Sequence, residues 1–297
     1  MNIKIGTRGS RLALLQAESV RDSLQALYPM DVIEIEIIHT RGDIDLKSPL
    51  SAMPGKGIFT EEIEAALLSG RIQLAVHSMK DMPADFPPGL GFTAVPKRED
   101  NRDCLVGPGK IENSDSLRDA FIGTGSVRRQ AFLKQLCPSV RMESVRGNIE
   151  TRMKKREENQ MDYVLLACAG LIRGGYEDRI AYRFSYDELM PAPCQGILCI
   201  EHRLDDAVIC EKLAALNDPT AQKQALFERA FQKAAGGGCH APIGAVAVPG
   251  ENGFTFLAAL GDEQGHVYKT EWHLDRDAEP REVEALTAAW KEELGLA

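Results

Sequence analysis

A strand, a glycine-containing turn and a capped helix occur twice in this chain in nearly the same letters, and no other feature constrains the fold as strongly. Ile5-Gly6-Thr7-Arg8-Gly9-Ser10 leads into helically spaced leucines, and Phe121-Ile122-Gly123-Thr124-Gly125-Ser126 leads into a second helix over Val127 to Leu136. In both copies the serine that closes the turn can cap the helix start. Around the first copy the pattern predicts a strand over residues 3 to 6 and a helix from Ser10 to Leu27 with Leu12, Leu15, Leu24 and Leu27 facing inward. An alternating strand follows from Val32 to Ile38, then a helix from Ile58 to Ser69 stopped by Gly70, then a strand from Ile72 to His77. Around the second copy, strands near 140–145 and 163–168 flank a helix starting near Asn148, which makes a second βαβ unit. Strands alternating with helices imply largely parallel, doubly wound sheets.

Ile197 to Glu201 reads as a strand returning to the first lobe, so the stretches Lys97 to Arg102 and Met190 to Gln195 are the two crossings and a hinge is expected. After a helix from about Thr220 to Ala235 come Gly236-Gly237-Gly238-Cys239, strands separated by turn signals at 249–253 and 261–265, and a helix from about Glu279. The expected fold class is α/β: two similar doubly wound lobes enclosing a cleft, of the type II periplasmic-binding-protein kind, plus a small C-terminal α+β domain. The expected boundaries are 1–98 with 196–217 for domain 1, 99–195 for domain 2 and 218–297 for domain 3.

The 297 residues are 44% hydrophobic and 27% charged, an ordinary globular balance. The first residues lack an apolar leader core, and no run of about 18 apolar residues occurs, so neither secretion nor a membrane span is predicted. Seven cysteines, an odd number without a C-x-x-C pair or zinc-like His partners, fit free thiols in a reducing cytoplasm and no metal site. The net charge of −9 argues against a nucleic-acid binder, which needs a basic surface. Any anion site must then be local.

Six segments place cations beside Gly, Ser or Thr at strand-to-helix turns: Thr7-Arg8-Gly9-Ser10, Gly55-Lys56-Gly57, Ser78-Met79-Lys80-Asp81, Ser126-Val127-Arg128-Arg129, Arg146-Gly147-Asn148 and Leu171-Ile172-Arg173. Alone, each is a solvated turn. Together they stand where parallel sheets bind ligands, with helix starts at Ser10, Ser126 and Asn148 adding N–H donors. The implied ligand carries several carboxylates or phosphates, which suits the fork of Arg128, Arg129, Arg146, Arg152 and Arg173. Asp81, at the end of an apolar strand, reads equally as a turn residue or as a catalytic carboxylate. His77 reads as a packed, hydrogen-bonded histidine. Cys239, after three glycines, reads either as an open-loop thiol with room for a bulky adduct or as a buried cysteine beside a glycine helix stop.

Taken in order, Gly6-Thr7-Arg8, Thr40-Arg41-Gly42-Asp43, Gly55-Lys56-Gly57-Ile58-Phe59, Val76-His77-Ser78-Met79-Lys80-Asp81, Gly123 to Gln130, Arg146-Gly147-Asn148, Ala169-Gly170-Leu171, Pro193-Cys194-Gln195-Gly196 and Gly237-Gly238-Cys239 resemble the porphobilinogen deaminase (hydroxymethylbilane synthase) family along essentially the whole chain. The resemblance implies a transferase of haem and tetrapyrrole biosynthesis with a dipyrromethane cofactor tethered through a thioether to Cys239. It implies Asp81 as the catalytic carboxylate. It also implies cofactor or substrate contacts from Arg8, Ser10, Lys56, Phe59, Lys80, Thr124, Ser126, Arg128, Arg129, Arg146, Gly147, Arg152, Arg173 and Gln195. Implied partners are porphobilinogen and, for the product, uroporphyrinogen-III synthase; no nucleic acid or membrane is involved, and a cytoplasmic monomer is expected. Ala52 stands where many relatives have lysine, Gly125 where serine is frequent, and Cys194 where glycine is frequent, which makes Cys194 a candidate extra reactive thiol. Two other readings of the residues stay open: a two-lobed solute-binding or effector-sensing domain, and a hydrolase or transferase using Cys239 with His240.

Overall fold

The computed structural model describes residues 1–41, 60–236, 241–262 and 264–296. In chain order the strands are β1 (Asn2–Thr7), β2 (Val32–Ile37), β3 (Leu74–Ser78), β4 (Leu90–Gly91), β5 (Asp103–Val106), β6 (Phe121–Gly123), β7 (Arg141–Glu143), β8 (Tyr163–Ala167), β9 (Ile180–Arg183), β10 (Leu198–Arg203), β11 (Ile243–Gly250), β12 (Gly253–Gly261) and β13 (Val267–Asp275). The helices are α1 (Arg11–Leu27), α2 (Glu61–Leu68), α3 (Val127–Leu136), α4 (Ile149–Glu158), α5 (Cys168–Gly174), α6 (Ala207–Ala214), α7 (Pro219–Ala235) and α8 (Pro280–Glu293). The chain divides into two units, Met1–Arg98 with Ile197–Gln222 and Glu99–Gly196 with Lys223–Ala297.

The first unit holds a five-stranded sheet in the order β2-β1-β3-β10-β4, and the second holds one in the order β7-β6-β8-β5-β9. In the first, β1 lies parallel to β2 and β3, while β10 runs antiparallel to β3 and β4. In the second, β6 lies parallel to β7 and β8, while β5 runs antiparallel to β8 and β9. The two orders are the same, and in each sheet the antiparallel strand is the one the chain enters just after crossing from the other unit. This is the doubly wound lobe of type II periplasmic binding proteins, found twice. The repeated Ile-Gly-Thr serves the same purpose in both: a Cβ on Gly6 would meet Ile72 Cδ1 at 2.4 Å, and one on Gly123 would meet Met161 Sδ at 2.7 Å. Each glycine makes room for an apolar side chain just ahead of the neighbouring parallel strand.

Alternate strand residues share one core, while central strands such as β3, β5 and β10 are buried on both faces. Ile3, Ile5, Ile33, Leu74, Val76, Leu198 and Ile200 form the first core with Ala17, Val20 and Leu24 of α1. Of the four leucines expected to face inward on α1, Leu24 is buried, together with Gln16, Ala17 and Val20; Leu12 and Leu15 are half-buried, and Leu27, in the last turn, is 48% exposed. α2 begins at Glu61, and the expected start at Ile58 falls outside the described residues. In the second unit one cluster runs from Leu105, Ile122, Phe132 and Leu165 to Val246, Ala259 and Val267 of the three-stranded antiparallel sheet β11-β12-β13. The other face of that sheet is closed by Phe227, Phe231 and Trp290 of α7 and α8, with Phe256 and Trp272 stacked at 5.7 Å. Aromatic pairs of this kind add about 0.5–1.5 kcal/mol to the area they bury.

Candidate active site

In the first unit, β1 and β3 are parallel neighbours, so the turns that follow them, Arg8–Ser10 and Met79–Asp81, lie at one edge of the sheet. The Ser10 side chain accepts from Ala13 N–H at 3.4 Å and starts α1, while the Thr7 hydroxyl donates to the Ala13 carbonyl at 3.2 Å. α1 is tied to β3 by Gln16, whose amide donates to Ser78 Oγ at 3.0 Å. Met79 N–H donates to the Ile197 carbonyl at 3.0 Å, and Met82 N–H closes the 3₁₀ turn on the Met79 carbonyl at 3.1 Å. The turn is thus held from α1 and from the approach to β10, and it presents Asp81 exposed with Lys80 and Arg8 half-buried.

Immediately before this turn, His77 lies buried with Nε2 3.1 Å from Glu201 Oε2, as a packed, hydrogen-bonded histidine. Glu64 of α2 is buried beside the pair. Burial holds its proton above the usual carboxylate range; the Thr60 hydroxyl opposes this, neighbouring Glu201 adds to it, and His77 offsets it.

In the second unit the same parallel geometry gathers three turns, after β6, β7 and β8. Ser126 caps α3 by accepting from Arg129 N–H at 3.4 Å, and the buried Thr124 accepts from Ser126 N–H at 3.3 Å. Asn148 caps α4 by accepting from Thr151 N–H at 2.8 Å. Gly147 has φ +117°, where a Cβ would also strike Thr151 Cγ2 at 2.6 Å, so glycine is required there. Arg152 Nε donates to the Gly147 carbonyl at 2.7 Å, fixing the turn that exposes Arg146. Arg173, at the end of α5, donates to the Gly196 carbonyl at 2.7 Å; burial lowers its pKa, with Glu99 partly compensating.

Arg128 and Arg129 are each 5% exposed and converge on Asp103, which is fully buried. Arg128 Nη2 and Arg129 Nη2 lie 2.7 Å from opposite oxygens of the carboxylate, and Arg129 Nε donates to Oδ1 at 3.0 Å. Gln195 Nε2 donates to the same Oδ1 at 2.9 Å and to the Asn101 carbonyl at 2.8 Å. Burial pushes Asp103 upward, but the two guanidiniums and the hydrogen bonds from Arg129 and Gln195 more than reverse this and hold it well below the carboxylate range. Arg128 shows the complement: burial and Arg129 lower its pKa more than Asp103 raises it. Two guanidiniums against one carboxylate leave one positive charge, which favours a further anion.

Asp103, Glu201 and Glu64 were not singled out from sequence. The available signal was a charged residue inside a run otherwise fit for a buried strand, as in Asp103-Cys104-Leu105-Val106 and Leu198-Cys199-Ile200-Glu201, since a buried charge demands a partner. Cys194 corrects an expectation: its thiol is fully buried and directed at the Ala225 carbonyl, 3.7 Å away, which removes it as a reactive surface group. Its φ of +62° is a left-handed backbone that glycine adopts without strain. Lys56, Phe59, Cys239 and His240, with Ala52, lie outside the described residues.

Comparison with known families gives two matches. The family model described as porphobilinogen deaminase, dipyromethane cofactor binding domain, covers residues 3–211, and that described as porphobilinogen deaminase, C-terminal domain, covers residues 222–291. The chain belongs to the porphobilinogen deaminase family. A porphobilinogen deaminase of Lachnospira eligens is 44% identical over 262 residues, 88% of this chain and 89% of its own length. Those of Roseiflexus castenholzii and Clostridioides difficile are 43% identical over 247 residues and 42% identical over 266, covering 83% and 89% of this chain and 82% and 88% of their own. As a porphobilinogen deaminase family member the chain is an enzyme, a transferase of tetrapyrrole biosynthesis with a dipyrromethane cofactor-binding domain. Among solved structures, the BvgS VFT2 domain of Bordetella pertussis matches with a TM-score of 0.44 and 17% identity over 75% of this chain and 90% of that one. A TRAP periplasmic solute binding protein of Desulfovibrio salexigens matches at 0.43 and 8% over 77% and 76%. The fold is given by the strand order that the two sheets share. Among the described residues no helix is long and apolar enough to cross a membrane.

Proposed function

We propose that this chain joins four porphobilinogen molecules head to tail, with release of ammonia, into hydroxymethylbilane on a dipyrromethane primer held through a thioether by Cys239. The observation that carries the reading is the pairing of family membership with the Met79–Asp81 turn, which presents an exposed carboxylate and a lysine at the ligand-binding edge of a parallel sheet. The donor set suits a group with several carboxylates: Arg128 and Arg129 keep one positive charge beyond Asp103, and the helix starts at Ser126 and Asn148 add dipoles of the right sign. When bound, the dipyrromethane supplies a free pyrrole α-carbon as the site of chain growth.

Asp81 takes the electrostatic role. Loss of ammonia from porphobilinogen leaves a cationic pyrrole, and a carboxylate about 4 Å from that charge at an effective dielectric of about 20 is worth up to about 4 kcal/mol. Realised only in the transition state, this is on the order of a thousandfold in rate. Lys80 and Arg8 at the same edge, and Arg146, Arg152 and Arg173 at the other sheet's edge, hold acetate and propionate groups. Ser10, Thr124, Ser126, Gly147 and Gln195 orient the turns that carry those cations, with Lys56 and Phe59 completing the set. On the same reading the enzyme is a cytoplasmic monomer of three domains, 1–98 with 196–217, 99–195 and 218–297. It contacts neither membrane nor nucleic acid and hands its product to uroporphyrinogen-III synthase.

The test is the intact mass of the denatured protein with peptide mapping around Cys239. An added dipyrrole on Cys239, or one that appears after incubation with porphobilinogen, is the expected result. A Cys239 thiol that stays titratable by iodoacetamide after that incubation overturns the assignment.

A further inference from the structure

Glu64, His77 and Glu201 bring three ionisable side chains from α2, β3 and β10 into one place directly behind the turn that carries Lys80 and Asp81. His77 and Glu64 are each 8% exposed and Glu201 is fully buried. Nε2 of His77 lies 3.1 Å from Glu201 Oε2, whereas Glu201 Oε1 and Glu64 Oε1 are buried oxygens with no hydrogen-bond donor among the described residues. Two carboxyl groups with spare acceptor oxygens are packed with one imidazole away from solvent, and burial holds the Glu64 proton above the usual carboxylate range. Apolar side chains would fill the same space at lower cost, and packing alone does not account for the cluster.

Resting on the proposed function above, we propose that Glu64, His77 and Glu201 form one buried polar unit that positions the Lys80–Asp81 turn. The covalent route is short, because His77 is followed at once by Ser78, which Gln16 grips, and by Met79, whose N–H is held by Ile197 ahead of β10. Both sides of the junction thus meet near β10: the Glu201 side chain holds His77, and the residue leading into the strand, Ile197, receives Met79. Among the described residues the groups acting on Glu64 are Glu201 from β10, His77 from β3 and the hydroxyl of Thr60, the residue just ahead of α2. None of the three side chains need touch substrate; they act through the turn.

Two measurements on the holoenzyme test this. In Glu201→Gln, which keeps the shape and removes the charge, kcat with porphobilinogen is expected to fall about tenfold with KM within about twofold, a small misplacement of Asp81 being enough for that loss, and Glu201→Asp is expected to recover part of it. Unchanged kcat, or kcat, KM and melting temperature falling together, overturns the positioning role. The second readout needs no turnover: wild type is expected to lose stability relative to Glu64→Gln as pH rises above the usual carboxylate range, because the folded protein holds a proton that the unfolded chain releases. Parallel stability curves for the two proteins overturn the place of Glu64 in the unit. If wild type itself does not turn over porphobilinogen, the functional reading fails while the stability comparison still decides the cluster.

Discussion

Removing Asp103 should do more damage than any other single side-chain truncation in the second unit. In Asp103→Ala the two guanidiniums keep their burial, at 5% exposure each, but lose the carboxylate that three of their nitrogens approach within 3.0 Å, and Gln195 loses one of its two acceptors, at 2.9 Å. The remaining charge is two positive groups side by side in a dry site. Removing one partner of a buried ion pair costs about 3–5 kcal/mol. At roughly 2–4 °C per kcal/mol for a chain of this size class, the melting temperature should fall by roughly 6–20 °C. The pH dependence carries a sign. The folded-state pKa of Asp103 is depressed, so its contribution is fully present above the unfolded value of about 3.9 and is lost as pH falls through the folded value. The deficit of the variant should therefore be complete at pH 7 and shrink only in acid. Differential scanning calorimetry between pH 3 and pH 8 reads both quantities. A variant that melts within 2 °C of wild type at pH 7, or a deficit that grows as pH falls, would refute the ion-pair reasoning.

Asp81→Ala, at an exposed position, should leave the melting temperature and any mass on Cys239 unchanged while lowering turnover on the order of a thousandfold; a stopped assay of linear tetrapyrrole formation checks it, and near-wild-type turnover excludes the electrostatic role. Gly196→Ala should destabilise by about 2 kcal/mol or more in urea titrations, because φ is +88° and the new Cβ would meet the Glu99 carbonyl at 2.5 Å. Glu228→Gln should cost about 1.5–3 kcal/mol by the same measurement, since the buried carboxylate accepts Cys194 N–H at 2.6 Å and Ala247 N–H at 2.9 Å and an amide replaces one acceptor with a donor.

What could be read from the sequence was what is decided locally. The Ser10, Ser126 and Asn148 caps each act on a backbone N–H three residues on, and the strands between them carry their own periodicity, so the lobes and their repetition were legible. The partners of Arg128 and Arg129 were not. Asp103 and Gln195 are 92 positions apart and meet only once β5 and the second crossing are in place, so arginines that read as ligand clamps proved to be bound first to the chain's own carboxylate. The inward face of α1 differs from the leucine pattern for a related reason: leucine spacing alone does not report how much of the helix the sheet covers, so Leu24 is buried but Leu27 is 48% exposed. Cys194 has a left-handed backbone that composition does not signal.

The antiparallel strand in each sheet has a consequence for the order in which the chain can fold during synthesis. All five strands of the second sheet come from one continuous stretch, residues 103–183, so that sheet can close as soon as the stretch has emerged. The first sheet cannot. β3 keeps an open hydrogen-bonding edge, and β4 has no neighbour, until residues 198–203 arrive as β10. A nascent or truncated chain ending before that point exposes an apolar strand edge of the kind that templates aggregation. The later-made lobe is thus the first able to mature, and the residues bearing Lys80 and Asp81 settle last.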